Sequence, residues 1–155
     1  MRKQKKLDNL LKSVDDNIRF FEGRRIKNKK KAFSLKVISI IMSSSITILL
    51  GLKSINNNNI LSDIALGLAA AVTVFNGIEG FYNHRGLWAK DVTTLNSLRA
   101  LKRDIEYYMV GEDEDSLSLE EVNKFKTRLQ DILNEDVNVW INIRKELDDS
   151  KKNEN

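Results

Sequence analysis

The chain contains no cysteine, no proline and one histidine among its 155 residues. Without cysteine there is no disulfide, no thiolate zinc site and no cysteine nucleophile. The single His84 leaves no histidine pair for a metal or a catalytic relay. The seven glycines are scattered, so no glycine-rich phosphate loop forms. Adjacent acidic pairs such as Glu120 with Glu121 and Asp148 with Asp149 point apart on a helix and read as solvated faces. The expectation is a protein that is not an enzyme and holds no cofactor or metal. The lack of proline leaves every long segment free to be helical.

What is present is an uneven distribution of apolar residues. At 41% hydrophobic and 31% charged, the average composition is that of an ordinary soluble domain, yet two long stretches carry almost no charge. The first, Ala32 to Leu52, has only Lys36. Its 21 residues span about 31 Å as a helix, against about 30 Å for a hydrocarbon core. Lys36 lies one turn from the start, where its stem can snorkel to the headgroups. The second, Ile60 to Tyr82, has Asp63 and Glu79 near its ends and an uncharged centre from Ile64 to Ile78. Phe81, Tyr82 and Trp88 stand at or beyond its exit, where interfacial aromatics gather. A core helix of a soluble bundle shows a charged face, and neither stretch has one. Both read as transmembrane helices, residues 32–52 and 60–82, joined by a polar external loop over 53–59.

Charge sets the expected orientation. Residues 1–36 hold thirteen Lys/Arg and four Asp/Glu, whereas the loop holds one Lys. By the positive-inside rule both termini are cytoplasmic. The run RRIKNKKK places Arg24, Arg25, Lys27, Lys29, Lys30 and Lys31 beside the first span. Next to a membrane segment these six read as contacts to anionic lipid headgroups, in preference to a nucleic-acid patch. No signal peptide is expected, because the first apolar stretch starts far from the N-terminus and no cleavage site follows.

The remaining segments read as amphipathic helices. Leu7, Leu10, Leu11, Val14, Ile18 and Phe21 form one stripe in the basic N-terminal segment, residues 1–31. Leu87, Leu95, Leu98, Leu101, Ile105 and Tyr108 form another, so the second span is expected to run into a long helix ending near Val110. Gly111 then stops it before the acidic run Glu112 to Asp115. Ser118 with Glu121 is a capping box. It opens a last helix to about Asp149, with Val122, Phe125, Leu129, Ile132, Trp140 and Ile143 on its stripe. Residues 83–149 thus read as a cytoplasmic helical hairpin and 150–155 as a frayed tail. The stripes pack either on the N-terminal helix or between subunits, as a coiled coil does.

Polar groups inside the spans are the candidate functional residues. Ser39, Ser43 and Thr47 recur every four residues on the first span. Thr73, Asn76, Gly80 and Asn83 form a second stripe flanked by Glu79. Polar groups in lipid must face protein or water. They are either packing faces, with Ser39/Ser43 and Gly67/Ala71 as small-xxx-small pairs, or the lining of an aqueous path. Two spans cannot enclose a pore, so a pore requires an oligomer. His84, in NHRG, reads as an interfacial bystander, with a headgroup contact or a pH sensor as alternatives.

The layout resembles the SLATT family of bacterial two-transmembrane effectors (SMODS and SLOG-associating). A basic N-terminal segment and a two-span hairpin are followed by GLWAKDVTTLNSL, IEYYMVG and FKTRLQDILNEDVNVW. Trp88, Leu95, Tyr107, Tyr108, Phe125, Glu135 and Trp140 stand at positions comparable with the family's pattern, over residues 20–145 or so. The chain departs from it in IEYYMVGEDED, where the family often has a glycine followed by a tyrosine. The resemblance implies an all-α homo-oligomer in the bacterial inner membrane. It implies a pore-forming effector of antiviral defence that acts by abortive infection beside a separate sensor or nucleotide-signalling protein. No catalytic residues come with it, and no nucleic-acid partner is expected. The rival expectation is a non-conducting scaffold that recruits a partner through its cytoplasmic helices.

Overall fold

A computed structural model describes residues 2–56, 59–111 and 117–152. The protein is all-α; the described residues form four helices, α1 (Arg2–Asn56), α2 (Asn59–Tyr82), α3 (His84–Gly111) and α4 (Leu119–Lys152). Among the described residues there is no strand. The acidic run Glu112 to Asp115, Asn57 and Asn58 of the connecting loop, and the last three residues of the tail lie outside them. The helices divide into two units, residues 1–27 with 86–155, and residues 28–85.

Several boundaries differ from those expected. The basic N-terminal helix and the first apolar stretch are one helix, α1. No proline interrupts it, and Gly23, Asn28 and Ser34 all stay helical, so helical propagation continues through the change in composition. Lys53 to Asn56, expected in the loop, extend α1, and Asn59 already opens α2. Conversely, α2 does not run into α3. Asn83 breaks the helix with a left-handed φ of 48°. Asparagine tolerates that region better than other non-glycine residues, and a left-handed residue just after a helix end is a common stop. At the other end of the chain, α4 continues three residues past Asp149 to Lys152.

The first unit is a three-helix packing built on the expected stripes. Leu7, Leu10, Val14 and Phe21 of α1, Leu95, Leu98, Leu101 and Ile105 of α3, and Val122, Leu129 and Ile132 of α4 form one buried cluster with Leu117. Leu11, Ile18, Tyr108, Phe125 and Leu133 pack around it. Ion pairs tie the helices at the rim, Glu22 to Arg99, Asp15 to Lys102 at 2.7 Å and Asp104 to Arg128 at 2.6 Å. The Asp15 hydrogen bond holds the Lys102 ammonium above the ordinary lysine range. Exposed pairs of this kind add little stability, so the apolar cluster carries the fold.

The start of α4 uses half of the expected capping box. Ser118 Oγ accepts the Glu120 N–H at 3.2 Å, as an N-cap should. Glu121 does not reach back, because the Ser118 N–H already donates to the Tyr108 hydroxyl at 2.8 Å. Glu121 instead accepts from Lys124 at 2.7 Å. Tyr108 therefore links the end of α3 to the first turn of α4.

Leu98 is fully buried, whereas Tyr107 on the same helix is 84% exposed. Leu98→Ala is expected to cost about 2–5 kcal/mol, and Tyr107→Ala about 0.5 kcal/mol or less. Denaturant titration of the two variants in detergent, followed by circular dichroism, measures both.

Candidate functional site

The second unit consists of the latter part of α1, α2 and the junction with α3. Hydrogen bonds join α1 to α2. Lys53 Nζ donates to Ser62 Oγ at 3.1 Å near the connection, and Ser39 Oγ donates to Asn76 Oδ1 at 3.4 Å. From the first bond to the second, each helix advances by fourteen residues in opposite directions, so the pair is antiparallel and in constant register. Ala65 is the buried residue of α2. Most large apolar side chains here are exposed, among them Phe33, Ile40, Ile48, Ile60, Leu66 (72%) and Val74. Both apolar stretches are long and apolar enough to cross a membrane, and 0% of the first and 6% of the second are buried. The core helix of a soluble protein is mostly buried.

The sequence-selected polar residues separate into two groups. Ser39 and Asn76 meet across the helix pair. Thr47 and Thr73 donate instead to carbonyls of their own helices, Ser43 at 3.2 Å and Ala69 at 3.1 Å. Ser44 and Ser45 do the same to Ile40 and Ile41, both at 2.9 Å. This back-bonding satisfies a hydroxyl within one helix and removes its need for an external partner. Ser43 is exposed, as is Lys36. Gly67 has no neighbour within 4 Å of where a Cβ would stand, so the Gly67/Ala71 pair makes no close helix approach within the chain.

Glu79 is not an isolated carboxylate. Its Oε2 lies 3.0 Å from His84 Nδ1, and its Oε1 accepts the Arg85 N–H at 3.2 Å. The Asn83 N–H closes the last turn of α2 on the Glu79 carbonyl at 2.7 Å. One residue thus ends α2 with its backbone and caps α3 with its side chain, where a negative charge is favoured by the helix dipole. His84 is buried, and its ring lies 5.4 Å from that of Tyr82. Phe81 and Tyr82 are exposed and pack edge to face at 4.9 Å. Trp88, in the other unit, is half-buried.

The first unit contains a feature that sequence reasoning missed. Arg24, Lys90, Asp91 and Asp136 form a charge-balanced cluster from three helices. Arg24 lies 3.1 Å from Asp91 and 3.9 Å from Asp136. Lys90 lies 3.5 Å from Asp91 and is hydrogen-bonded to Asp136, and Thr94 donates to the same carboxylate at 2.8 Å. Asp91 is fully buried, and Lys90, Thr94 and Asp136 nearly so. The Arg24 guanidinium stands over the rings of Phe20 and Phe21 at 5.5 and 5.2 Å. A signal for this existed: Asp136 occupies the stripe running from Leu129 and Ile132, and Asp91 and Thr94 occupy the one running from Leu87 to Leu98. Charges at core positions of two helices need a partner, and Arg24 sits one turn beyond Phe21 on the third.

Arg24 is therefore held in this cluster, apart from the other five residues of the basic run. Lys27, Lys29, Lys30 and Lys31 are exposed and Arg25 is half-buried, and among the described residues none of the five has a carboxylate partner. The α4 stripe divides in the same way. Val122, Phe125, Leu129 and Ile132 are spent on the unit's own core, whereas Trp140 is 43% exposed with Arg144 over its ring at 5.7 Å, and Ile143 is half-buried.

The chain matches no protein-family model, no curated protein and no solved structure.

Removing one member of the buried cluster strands its partners. Asp136→Ala is expected to destabilise the protein by about 3–5 kcal/mol, and the double replacement Lys90→Met with Asp136→Leu to recover much of that loss. Denaturant titration of both variants tests the coupling; equal losses would show that the pair contributes nothing beyond packing.

Proposed function

We propose that the protein is a membrane-inserted effector that assembles with copies of itself and permeabilises the bilayer. In this reading α1 beyond the basic run and α2 are the two spans. Both termini are cytoplasmic, and the membrane is the bacterial inner membrane. The antiviral, abortive-infection role is the one that the SLATT resemblance implies, with the trigger supplied by a separate sensor or signalling protein.

One observation carries the reading. Asn76 sits in the apolar helix pair and, among the described residues, has Ser39 as its hydrogen-bond partner, on its amide oxygen. The amide NH2 carries two more donors. In a hydrocarbon surrounding, such donors turn to another helix or to water. Neighbouring copies supply both: helices that pack around Asn76, and a space between them that water can enter. Ser39 and Asn76 then line the path, Ser43 borders it, and Glu79 stands at its mouth. The back-bonded Thr47 and Thr73 belong to the helix walls.

A second reading, the non-conducting scaffold, draws on the exposed apolar end of α4, where Val137, Trp140 and Ile141 stand clear of the core. Trp140→Asp would then abolish capture of a partner and leave ion flux unchanged.

Induction of the wild-type protein in bacteria is expected to collapse the membrane potential, read with a potential-sensitive dye. Asn76→Leu is expected to slow that collapse about tenfold or more while the protein still fractionates with the membrane. Glu79→Gln, which keeps the helix junction hydrogen-bonded, separates a role at the mouth from a role in folding. Undiminished leak from Asn76→Leu would refute the assignment of the path.

A further inference from the structure

At the end of the helix pair nearest α3 a cleft of about 480 Å3 opens between α1 and α2, lined by Lys31, Ser34, Leu35, Ile78, Tyr82 and His84. We propose that this cleft binds one anionic glycerophospholipid, with its phosphodiester headgroup against Lys31 and Ser34 and an acyl chain along Leu35 and Ile78. The proposal rests on the reading of the second unit as membrane-spanning, and it adds a specific lipid site to it.

The lining is sorted by depth. Lys31 lines the cleft together with His84, beside the junction. Leu35 lies one turn further into the apolar stretch than Lys31, and Ile78 one turn further than Tyr82. Polar groups therefore cluster at the end of the cleft that meets the junction, and the apolar ones lie toward the middle of the helix pair. A phospholipid has the same order, charge outermost and hydrocarbon beneath.

The charges fit as well. Lys31 is exposed and, among the described residues, has no carboxylate partner, so its ammonium is available to a phosphate. Glu79 is the nearby acid that would repel an anion. Its two oxygens are turned to His84 Nδ1 and the Arg85 N–H. The Ser34 hydroxyl and the Tyr82 phenol are further donors. Lys27, Lys29 and Lys30 add a long-range attraction that draws anionic lipid toward the cleft without lining it. The volume exceeds what a few waters fill and is in the range of sites for organic ligands.

The test uses the full-length protein extracted from bacterial membranes and exchanged into detergent. Lipid retained per chain is counted by mass spectrometry, and the protein is then reconstituted with phosphatidylcholine and phosphatidylglycerol. The wild type is expected to retain about one phosphatidylglycerol per chain in preference to phosphatidylcholine. Lys31→Gln combined with Ser34→Leu removes the charge and fills the cleft at two exposed positions, and is expected to lower retention about fivefold or more. The control Lys27→Gln/Lys29→Gln/Lys30→Gln is expected to lower it less than about twofold. Equal retention by the cleft variant, loss in the control alone, or no preference for the anionic lipid would each overturn the site. Displacement by excess inorganic phosphate would overturn the lipid in favour of a free anion. Protein found outside the membrane fraction would overturn the membrane reading first, a result distinct from membrane-bound protein that retains no lipid.

Discussion

Two helices cannot bury each other. Each covers one side of its neighbour. Phe33, Ile40, Ile41, Ile48, Ile64, Leu66 and Val74 are exposed, an apolar surface that a hydrocarbon surrounding or further helices would cover. The polar residues of the same helices obey that constraint. Ser44, Ser45, Thr47 and Thr73 each return their hydroxyl to a carbonyl one turn back, the one solution that needs no water and no second helix. Such hydroxyls cost little in hydrocarbon. An asparagine cannot do this with both ends of its amide, and Asn76 reaches across to Ser39.

The other unit meets the opposite condition. Its three helix segments have enough apolar surface to enclose a core, and they place charge inside it. Burying three charges beside a half-buried fourth is unfavourable in itself and is compensated only when each is paired. Arg24, Lys90, Asp91 and Asp136 satisfy this as a neutral set, with Thr94 filling a further acceptor site on Asp136. The pairing requires α1, α3 and α4 to meet at one level. Apolar stripes alone tolerate sliding by a turn, and a sliding helix would strand a buried carboxylate. The cluster thus acts on register more than on total stability.

The periodic stripes were legible in the sequence because burial repeats: Leu7, Leu10, Val14, Leu95, Leu98, Leu101, Val122 and Leu129 all reached the core they implied. The two apolar stretches were legible for a different reason, as long runs with almost no charge. Boundaries were less so. Gly23, Asn28 and Ser34 are the residue types that often mark helix ends, yet all three stay helical, and dividing α1 at Lys31 rests on composition rather than on a stop. At Asn83 the break depends on a left-handed residue and on a carboxylate four positions earlier that caps the next helix, a combination visible only in three dimensions. Lys90, Asp91 and Asp136 carry no signal of their own, because charged residues are mostly exposed; only the place of Asp91 and Asp136 on otherwise apolar stripes points inward.

These contrasts bear on how a leak would form. If every polar side chain of the helix pair closed on its own backbone, the pair would be inert in lipid and serve as an anchor. Thr47 and Thr73 are closed in that sense. Asn76 is not, and Ser43 is exposed and accepts Thr47 through its backbone carbonyl alone. Polarity left over after local satisfaction, rather than polarity as such, is what draws a second copy or a column of water. It falls at the level of Ser39, Ser43 and Asn76, one to two turns inside the Glu79 junction. An assembly built around that level would be narrow and lined by amides and hydroxyls with no fixed charge, a path that admits small ions without strong selection by sign.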